Sequence, residues 1–480
     1  MKFSIPFLTG ACWLLMQTAC VKDNSVVQLQ PVDSVQVSGL SPEYSVSIDE
    51  QLVISPVIKT GFTAEASLEY LWYAFNTTTQ FAADTLSREK NLAVPVAMAP
   101  GSYTLMLKIT NKTTGVFYKS ATTLNVVNDY TTGIIVLTET AGQTGIHFLN
   151  TVSGKFIEDA YGKGNEGEAA GSAPVSVAYY PQRFSMPAEI VMLCADERGG
   201  AIINPVTFKK NREVRKSFII PWEAAGPIGV QAYVMRENGL QDYLIINGQL
   251  HNRAANSGDL LFRPAMLGDY MLSAEYFNEG ATRSGFYDNK HMRFLCHNNT
   301  SGSLNPYLAG ATVNIIDPNN VGLQLVYSGV VAANEYFGVF EGAAKTDRQL
   351  LRFRLNSLAQ TFIAKDKFVI NAEKITEADH FASSTTLPDY MLYSVGGDIY
   401  AYNILSRSGG LLMSLGEGYN ITLLKMNGSE LKVGYTNAAL PGKKGGFSTY
   451  DISTLGGLNA KQTRNREGFC DRVVDMTDKQ

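Results

Sequence analysis

Residues 390–404 read YMLYSVGGDIYAYNI, two apolar runs separated by a Gly-Gly pair. Short runs rich in Tyr, Val and Ile are typical of β-strands, and a Gly-Gly pair between them indicates a two-residue hairpin turn. A second stretch of this kind, LKMNGSELKVGY at 424–435, turns at an Asn-Gly pair. Together the two stretches predict a succession of β-hairpins in the C-terminal part of the chain.

Similar apolar runs recur from residue 133 onwards. They begin at residues 133, 189, 242, 292, 336, 390 and 420, so the first five intervals are 56, 53, 50, 44 and 54 residues and the last is 30. A period near fifty with hairpins inside each unit is typical of β-propeller blades. Residues 131–480 are therefore predicted to form a β-propeller; six to eight blades fit the runs, and seven is preferred. The segment NAEKITEADHF at 371–381 is the best candidate for a helix.

Residues 31–128 alternate between apolar and polar side chains in a different way. In SLEYLWYAF, Leu68, Tyr70 and Trp72 share one face because successive strand residues point to opposite sides. About seven short strands in roughly 100 residues, with a central Trp, predict an immunoglobulin-like sandwich. This segment contains no cysteine, so Trp72 is expected to pack against aliphatic side chains. The fold class is all-β, a sandwich followed by a propeller.

The first 30 residues predict export. Lys2 precedes an apolar stretch of 14 residues (3–16), which is too short to span a bilayer but suits a secretory signal. Thr18-Ala19-Cys20 then resembles the cleavage site of a bacterial lipoprotein, although Gln17 stands where an aliphatic residue is usual. We expect residues 1–19 to be a signal peptide, Cys20 to be lipidated (palmitate among its acyl chains), and 20–30 to be a tether. The alternative is an ordinary signal peptide with an incidental cysteine.

The residues behind Cys20 refine the expected location. Lys22-Asp23 partly matches the export signal of Bacteroides surface lipoproteins, whereas Asn24 stands where a second acid is usual. The protein is therefore expected to be lipid-anchored in the outer membrane, with the cell surface favoured over the inner leaflet.

Composition excludes some classes of function. The chain has 40 Lys and Arg against 44 Asp and Glu, a net charge of −4, which argues against nucleic acid as a partner. If Cys12 leaves with the signal and Cys20 carries lipid, three cysteines remain at 194, 296 and 470. An odd number so widely spread predicts neither a disulfide framework nor a metal cluster.

Local motifs give little support to catalysis. GKGNEG at 162–167 has the letters of a dinucleotide fingerprint but lacks the flanking strand and helix, so an inter-blade loop is expected. His291 and His297, with Cys296 and Asp288 nearby, form only a weak candidate for a metal corner. No catalytic residue, metal or cofactor is predicted. Paired carboxylates contributed by different blades would leave no local pattern, so a propeller glycosidase or lyase is the alternative.

Trp222 is the one candidate ligand-binding residue. It lies in FIIPWEAAGP, a segment bounded by Pro and Gly that need not be a core strand. A flat aromatic face suits a sugar ring or an apolar peptide side chain. Packing in the core is the alternative interpretation of Trp222.

Several phrases, in this order, resemble the PKD-like family lipoproteins of Bacteroidetes. They are EYLWY (69–73), GSYTLMLKITNKTTG (101–115), GIIVLTE (133–139), INGQLHNR (246–253), LGDYMLSAEYF (267–277), FYDNKHMRFL (286–295) and LPDYMLYSVGGDIYAYN (387–403). The WDFGDG hallmark of true PKD repeats is absent. The resemblance implies an accessory of nutrient capture beside a transporter of the starch-utilisation type, and it supplies no site residues.

The function expected from these observations is binding without turnover. The ligand would be a glycan or a peptide, and the partners would be outer-membrane transporter subunits. Two alternatives stay open: the propeller enzyme named above, and a structural component of an envelope complex.

Overall fold

The structure is a computed structural model that describes residues 33–48, 50–61, 63–76, 83–223, 225–235, 239–279, 283–298, 303–310, 312–332, 335–356, 360–453 and 460–480. The expected signal peptide, Cys20 and the tether lie outside these residues. The chain divides between Asn128 and Asp129 into two compact units. No helix within the described ranges has the length and apolarity to cross a membrane.

The first unit is a β-sandwich. A five-stranded sheet has the order β2-β9-β8-β5-β6, with β2 and β9 parallel, and two smaller sheets pair β3 with β7 and β1 with β4. The strands are β1 (Val35–Ser38), β2 (Glu43–Ser47), β3 (Gln51–Ile54), β4 (Val57–Thr60), β5 (Leu68–Phe75), β6 (Asp84–Ser87), β7 (Leu92–Pro95), β8 (Gly101–Asn111) and β9 (Phe117–Val127).

Trp72 lies at the centre of this sandwich. Its side chain is fully buried in a core that includes Leu52, Ile54 and Leu107, and the indole Nε1–H donates to the carbonyl of Lys90 at 3.2 Å. The buried position of Trp72 among aliphatic residues is therefore confirmed. The alternation in SLEYLWYAF predicted the strand correctly because β5 has one face on the core and one face partly accessible.

The second unit contains seven sheets among the described residues, here called blades 1 to 7. From the inside outwards, blade 1 is β37 (Arg472–Lys479), β10 (Gly133–Thr140), β11 (Gln143–Asn150) and β12 (Phe156–Ile157); blade 2 is β13 (Pro174–Tyr180), β14 (Glu189–Cys194), β15 (Gly200–Ile203) and β16 (Lys210–Glu213); blade 3 is β17 (Val230–Val234), β18 (Gln241–Ile246) and β19 (Gln249–Ala254); blade 4 is β20 (Leu272–Glu279), β21 (Arg283–Asp288), β22 (Arg293–Asn298) and β23 (Leu304–Pro306). Blade 5 is β25 (Gln324–Ala332), β26 (Glu335–Glu341), β27 (Arg348–Asn356), β28 (Thr361–Val369) and β24 (Leu308–Ala309); blade 6 is β29 (His380–Ser383), β30 (Tyr390–Val395), β31 (Asp398–Asn403) and β32 (Ser408–Ser414); blade 7 is β33 (Tyr419–Asn427), β34 (Glu430–Asn437), β35 (Gly445–Asp451) and β36 (Lys461–Cys470).

The seven inner strands contact one another in a closed ring. Each of β13, β17, β20, β25, β29 and β33 contacts the next in that order, and β37 contacts both β33 and β13. Seven hairpin-built sheets around such a ring form a β-propeller. The predicted fold class, with seven blades, is confirmed.

Helical structure is sparse in the described residues. It consists of α1 (Ala160–Gly164) and four short 3-10 turns at Glu65–Ser67, Val214–Lys216, Ala255–Ser257 and Ile375–Glu377. The helix predicted for 371–381 is therefore wrong apart from one turn, because the end of that segment becomes the inner strand β29. GKGNEG, predicted as a loop, begins inside α1 instead.

Of the two predicted turn dipeptides, Gly396-Gly397 is confirmed and Asn427-Gly428 is displaced by one residue, because Asn427 belongs to β33 opposite Glu430 and the turn is Gly428-Ser429. Gly396-Gly397 joins β30 to β31, with Val395 opposite Asp398. Asn247-Gly248 joins β18 to β19, and both residues have positive φ values of 49° and 72°. Two positive φ values make a type I′ turn, whose twist matches that of the flanking strands.

The last strand closes the ring, and we call its contacts with blade 1 the closing seam. β37 pairs with β10 in antiparallel register from Gly133 opposite Lys479 to Glu139 opposite Arg472. Val473 and Met476 of this strand are fully buried, and Lys479 Nζ donates to the carbonyls of Tyr130 and Thr131. The C-terminal residues thereby hold the start of the propeller in place.

A buried histidine lies against the closing seam. His147 Nε2 is 2.9 Å from Thr138 Oγ1, and Nδ1 accepts from the backbone N–H of Asp159 at 3.3 Å. Burial, together with the nearby Lys443 ammonium, lowers the pKa of His147 to about 4. The folded protein therefore requires a neutral imidazole at this position.

Acidification is expected to destabilise the protein through His147. Because the folded-state pKa is depressed, the unfolded chain binds more protons between pH 6.5 and pH 4, so stability falls as pH drops through that window. The contribution at pH 4.5 is about 2–3 kcal/mol. The free energy of unfolding should fall less between pH 7.5 and pH 4.5 in His147→Gln than in the wild type, as measured by denaturant unfolding at both pH values. His251 and His380, whose pKa values burial also lowers, act equally in both proteins. Parallel losses in the two proteins would argue against this role for His147.

Candidate functional site

Four consecutive inner strands each carry a tyrosine and a β-bulge. The residues are Tyr180 on β13, Tyr233 on β17, Tyr276 on β20 and Tyr327 on β25, and we call this set the tyrosine arc. All four strands show a register shift where they pair with the next strand. Bulges bend a strand and redirect its side chains, which is why they are frequent near functional sites.

The arc combines aromatic surface with fixed hydroxyl groups. The rings of Tyr180 and Tyr233 lie 4.9 Å apart, the Tyr180 hydroxyl donates to the carbonyl of Tyr233 at 3.3 Å, and the Tyr327 hydroxyl is 2.8 Å from Ser383 Oγ. Burial raises the pKa of Tyr233 to about 12 and also raises the pKa of Tyr180 and Tyr327. All four tyrosines nevertheless keep part of their surface accessible. Such neutral phenols offer hydrogen bonds and flat apolar faces to a ligand.

Glu275 lies next to the arc on the bulged strand β20. Its Oε2 accepts from the backbone N–H of Ser328 at 3.0 Å and from the Ser328 hydroxyl at 2.6 Å. Burial raises the pKa of the Glu275 carboxyl, although the hydrogen bonds from Ser328 oppose that shift. A carboxyl in this environment can accept hydrogen bonds from a ligand and holds a proton more readily than an exposed one.

A second carboxylate of the inner strands lies at the end of the arc that carries Tyr180. Asp475 of β37 accepts from Lys425 Nζ at 2.8 Å and from the backbone N–H of Val177 at 2.9 Å. These contacts join the inner strands of blades 7, 1 and 2. Asp475 therefore serves ring closure, whereas Glu275 has no basic partner among its hydrogen bonds with Ser328.

A buried network of ion pairs and hydrogen bonds includes Tyr233 of the arc. Arg253, which is 1% exposed, donates to Tyr233 Oη at 2.6 Å, to Glu189 Oε2 at 2.8 Å and to Asp242 Oδ2 at 3.0 Å. Tyr233 in turn donates to Asp242 at 3.0 Å. Arg212 bonds to Glu189, and Arg183 pairs with Asp242. The network fixes the position of the Tyr233 hydroxyl between blades 2 and 3.

Trp222 packs against the same hydrophobic cluster as Tyr180 and Tyr233 of the arc. Its ring is partly buried and packs against Phe218 at 5.5 Å and His251 at 5.9 Å, where His251 belongs to the third strand of blade 3. The remaining part of the indole is accessible. Its assignment as a ligand platform stays a prediction.

The weak metal corner is not assembled. His297 Nδ1 is 2.9 Å from the Tyr243 hydroxyl inside the core, whereas His291 precedes β22 and approaches the exposed Asp269. Asp288 accepts from the backbone N–H groups of the following turn. Across the described ranges, no group of three or more His, Cys, Asp or Glu side chains is arranged to hold a metal ion. Cys194, Cys296 and Cys470 are buried free thiols.

The sequence interpretation missed the arc and the ion network. A signal for the arc was present, since Tyr180, Tyr233, Tyr276 and Tyr327 follow one another at intervals of 53, 43 and 51 residues. These intervals match the blade period. The ion network has no periodic pattern in the sequence, because its members come from three different strands of two blades: Glu189, Asp242 and Arg253.

Comparison with known proteins was made at the levels of sequence and fold. No curated protein matches the sequence. The fold is similar to a quinonprotein alcohol dehydrogenase-like protein from Bacteroides thetaiotaomicron VPI-5482, at 12% identity, 91% coverage of this chain, 96% of that chain and a TM-score of 0.49. It is also similar to a DUF4784 family protein from Bacteroides caccae ATCC 43185, at 9% identity, 80% and 96% coverage and a TM-score of 0.36. No activity passes to this chain at such identities.

The sequence model of the PKD-like family matches residues 20–174. This range contains the β-sandwich and continues through β10, β11 and β12 of the first blade. The resemblance predicted from EYLWY, GSYTLMLKITNKTTG and GIIVLTE is therefore confirmed: over residues 20–174 this chain is similar to the PKD-like family.

Proposed function

We propose that this protein is a lipid-anchored binding module of the outer membrane. Its propeller binds an extracellular polymer, a glycan or a peptide, beside a transporter of the starch-utilisation type, and does not turn the polymer over. The observation that supports binding most directly is the tyrosine arc, where adjacent blades contribute four partly accessible tyrosines and Glu275 lies near two of them, Tyr276 and Tyr327. Aromatic faces with a few fixed polar groups are the usual lining of ligand sites.

The arrangement of the inner acids favours binding over hydrolysis. A glycosidase uses two carboxyl groups that flank one bond, about 5–9.5 Å apart. Glu275 is held by Ser328, whereas Asp475, three places away in the ring of inner strands, is neutralised by Lys425. A second candidate function, a propeller glycosidase or lyase, rests on the raised pKa of Glu275, which suits a general acid. A structural role in an envelope complex is the third.

Binding and turnover can be separated in one experiment. Purified protein should bind its polymer with an affinity near micromolar, about 8 kcal/mol, and release no reducing ends or peptide fragments. Trp222→Ala should weaken binding by about 1–3 kcal/mol if the exposed part of its indole stacks on the ligand. An unchanged affinity in a folded Trp222→Ala variant would assign the indole to packing. Polymer cleavage that disappears in Glu275→Gln would replace the binding proposal with the enzymatic one.

The proposed anchor predicts a change in cellular fractionation. Cys20→Ala should release the protein from the membrane fraction, because each buried acyl CH₂ contributes about 0.8 kcal/mol to membrane affinity. Cys12→Ala is the matched control, since Cys12 lies in the segment expected to be removed. Pull-down of the lipidated protein from its own membranes should recover transporter subunits. Retention of Cys20→Ala in the outer membrane would contradict the anchor.

A further inference from the structure

A cleft of about 280 Å³ opens between the first and the last blade. One wall is formed by Asn150, Thr151 and Phe156 of blade 1, and the other by Arg464, Asn465 and Arg466 of the outermost strand of blade 7. The tyrosine arc belongs to the inner strands of blades 2 to 5, so the cleft is a separate feature. Among the described residues, two arginines and no carboxylate line it.

Arg466 lies over an aromatic ring on one side of the cleft. Its guanidinium carbon lies 4.9 Å from the centre of the Phe156 ring. Phe156 is itself fixed, because the His147 ring stacks on it at 5.7 Å and Phe469 meets it edge-on at 5.0 Å. A guanidinium restrained on an aromatic ring keeps its N–H groups directed sideways and loses little conformational entropy when it binds.

The carboxylates near Arg464 and Arg466 accept from only some of the N–H groups of these two guanidinium groups. Arg466 approaches Glu158 at 3.7 Å, and both side chains are about half exposed, at 49% and 59%. An ion pair with this geometry contributes little. Arg464 uses Nη1 to bond Glu430 at 2.8 Å, which is one of its five N–H donors. Residues 464 and 466 lie two apart on one strand and so share a face.

We propose that this cleft binds an oxyanion carried on a sugar ring, either a uronate carboxylate or a sulfate ester. Arginine matches such planar or tetrahedral oxyanions with paired N–H···O bonds. The volume lies just below the range of about 300–1,000 Å³ for small-molecule pockets, which suits a single ring. The inference rests on the proposed function and deepens it, because it assigns the polymer to the acidic glycans.

Ligand binding in this cleft is coupled to ring closure. The two walls belong to the first and the last blade, which pack against each other through Phe156 and Phe469 and through contacts of β37 with β33, β34 and β35. A ligand that contacts both walls stabilises the closed ring by an amount that grows with the free ligand concentration. The melting temperature should therefore rise with the concentration of an acidic sugar and stay constant with a neutral one.

The test compares three sugars that share a ring and differ in charge. Full chain carrying Cys20→Ala is titrated with glucuronate, glucose 6-sulfate and glucose by calorimetry. We expect at least one anion to bind and to raise the melting temperature, and glucose to do neither. Binding of glucuronate alone assigns the carboxylate, binding of glucose 6-sulfate alone assigns the sulfate, and binding of both assigns the shared oxyanion. Equal binding of glucose, or no binding of either anion, would overturn the proposal.

A matched pair of variants locates the site. Arg466→Gln should lower the affinity for the anion at least tenfold. Arg407→Gln is the control. Like Arg466, Arg407 lies over an aromatic ring and near a carboxylate, 4.3 Å from the centre of Phe368 and 2.8 Å from Asp366. The Arg407→Gln variant should bind the anion as the wild type does. Arg464→Gln serves as the second variant if Arg466→Gln does not fold. Wild-type affinity in both cleft variants would exclude the site.

The result is independent of the proposed function as a whole. If a polymer binds and Trp222→Ala weakens it while Arg466→Gln does not, the cleft is excluded and the binding module stands. If no polymer binds but glucuronate binds and is lost in Arg466→Gln, the cleft stands and the broader proposal falls.

Discussion

Removal of residues 471–480 is expected to abolish cooperative folding of the propeller. The deletion takes away the whole of β37, which pairs with β10 and contacts the inner strands of blades 2 and 7. It exposes the core around Val136 and leaves β10 with unpaired backbone groups along the edge that β37 occupied. Loss of this strand should exceed the total stability of about 5–15 kcal/mol that folded domains have. Unpaired edges of this kind also promote aggregation.

The measurement is solubility followed by thermal unfolding of the truncated chain. Removal of residues 21–30, the segment expected to be a tether, is the control and should leave the unfolding transition unchanged. A soluble product of the C-terminal truncation that melts in a single sharp transition would show that the ring does not depend on β37.

Replacement of Arg253 by methionine should destabilise the protein by about 3–5 kcal/mol. The substitution removes one partner from a buried charge network and leaves Glu189 and Asp242 with too few donors, which is the costly way to break such a network. Arg253 also donates to Tyr233 and to the carbonyl of Leu260. The Tyr233 hydroxyl should therefore lose its fixed position, and ligand affinity at the arc should fall together with stability.

Chemical denaturation of Arg253→Met at pH 7 gives the loss directly. Lys216→Ala is the control, because Lys216 is 70% exposed and pairs with Glu213 in the same part of the propeller; an exposed pair contributes less than about 1 kcal/mol. A loss in Arg253→Met no larger than in Lys216→Ala would mean that the buried charges are compensated without Arg253.

The number of blades was readable from the sequence, but the position of each strand was not. Each of the seven apolar runs belongs to a different sheet, which is why their number was right. They do not mark equivalent strands: the run at 133 is the second strand of blade 1, the run at 292 the third of blade 4, and the run at 420 the first of blade 7. The short final interval of 30 residues reflects this shift. A buried strand is apolar whichever place it takes in its sheet, so hydrophobicity alone does not distinguish these positions.

The candidate site was less accessible to sequence reasoning than the fold. The side chains of Tyr180 and Tyr276 are ordinary members of β-strands in the sequence, and only the ring of inner strands brings them to one part of the molecule. Trp222 attracted attention because it lies between Pro and Gly, yet the structure packs one part of it on Phe218. The bulge that redirects Glu275 depends on how β20 pairs with the next strand, β21, and the residues of this hairpin do not show where its register shifts.

Ring closure by the last strand has a consequence for the order in which the chain is made. Gly133 emerges from the ribosome long before its partner Lys479. At a synthesis rate of about 5–20 residues per second, the delay is roughly 20–70 s. Throughout that interval β10 has only its outer neighbour β11, and every blade made so far belongs to an open arc. The propeller is therefore completed only once β37 has emerged, and until then its first blade must be kept from pairing with other chains.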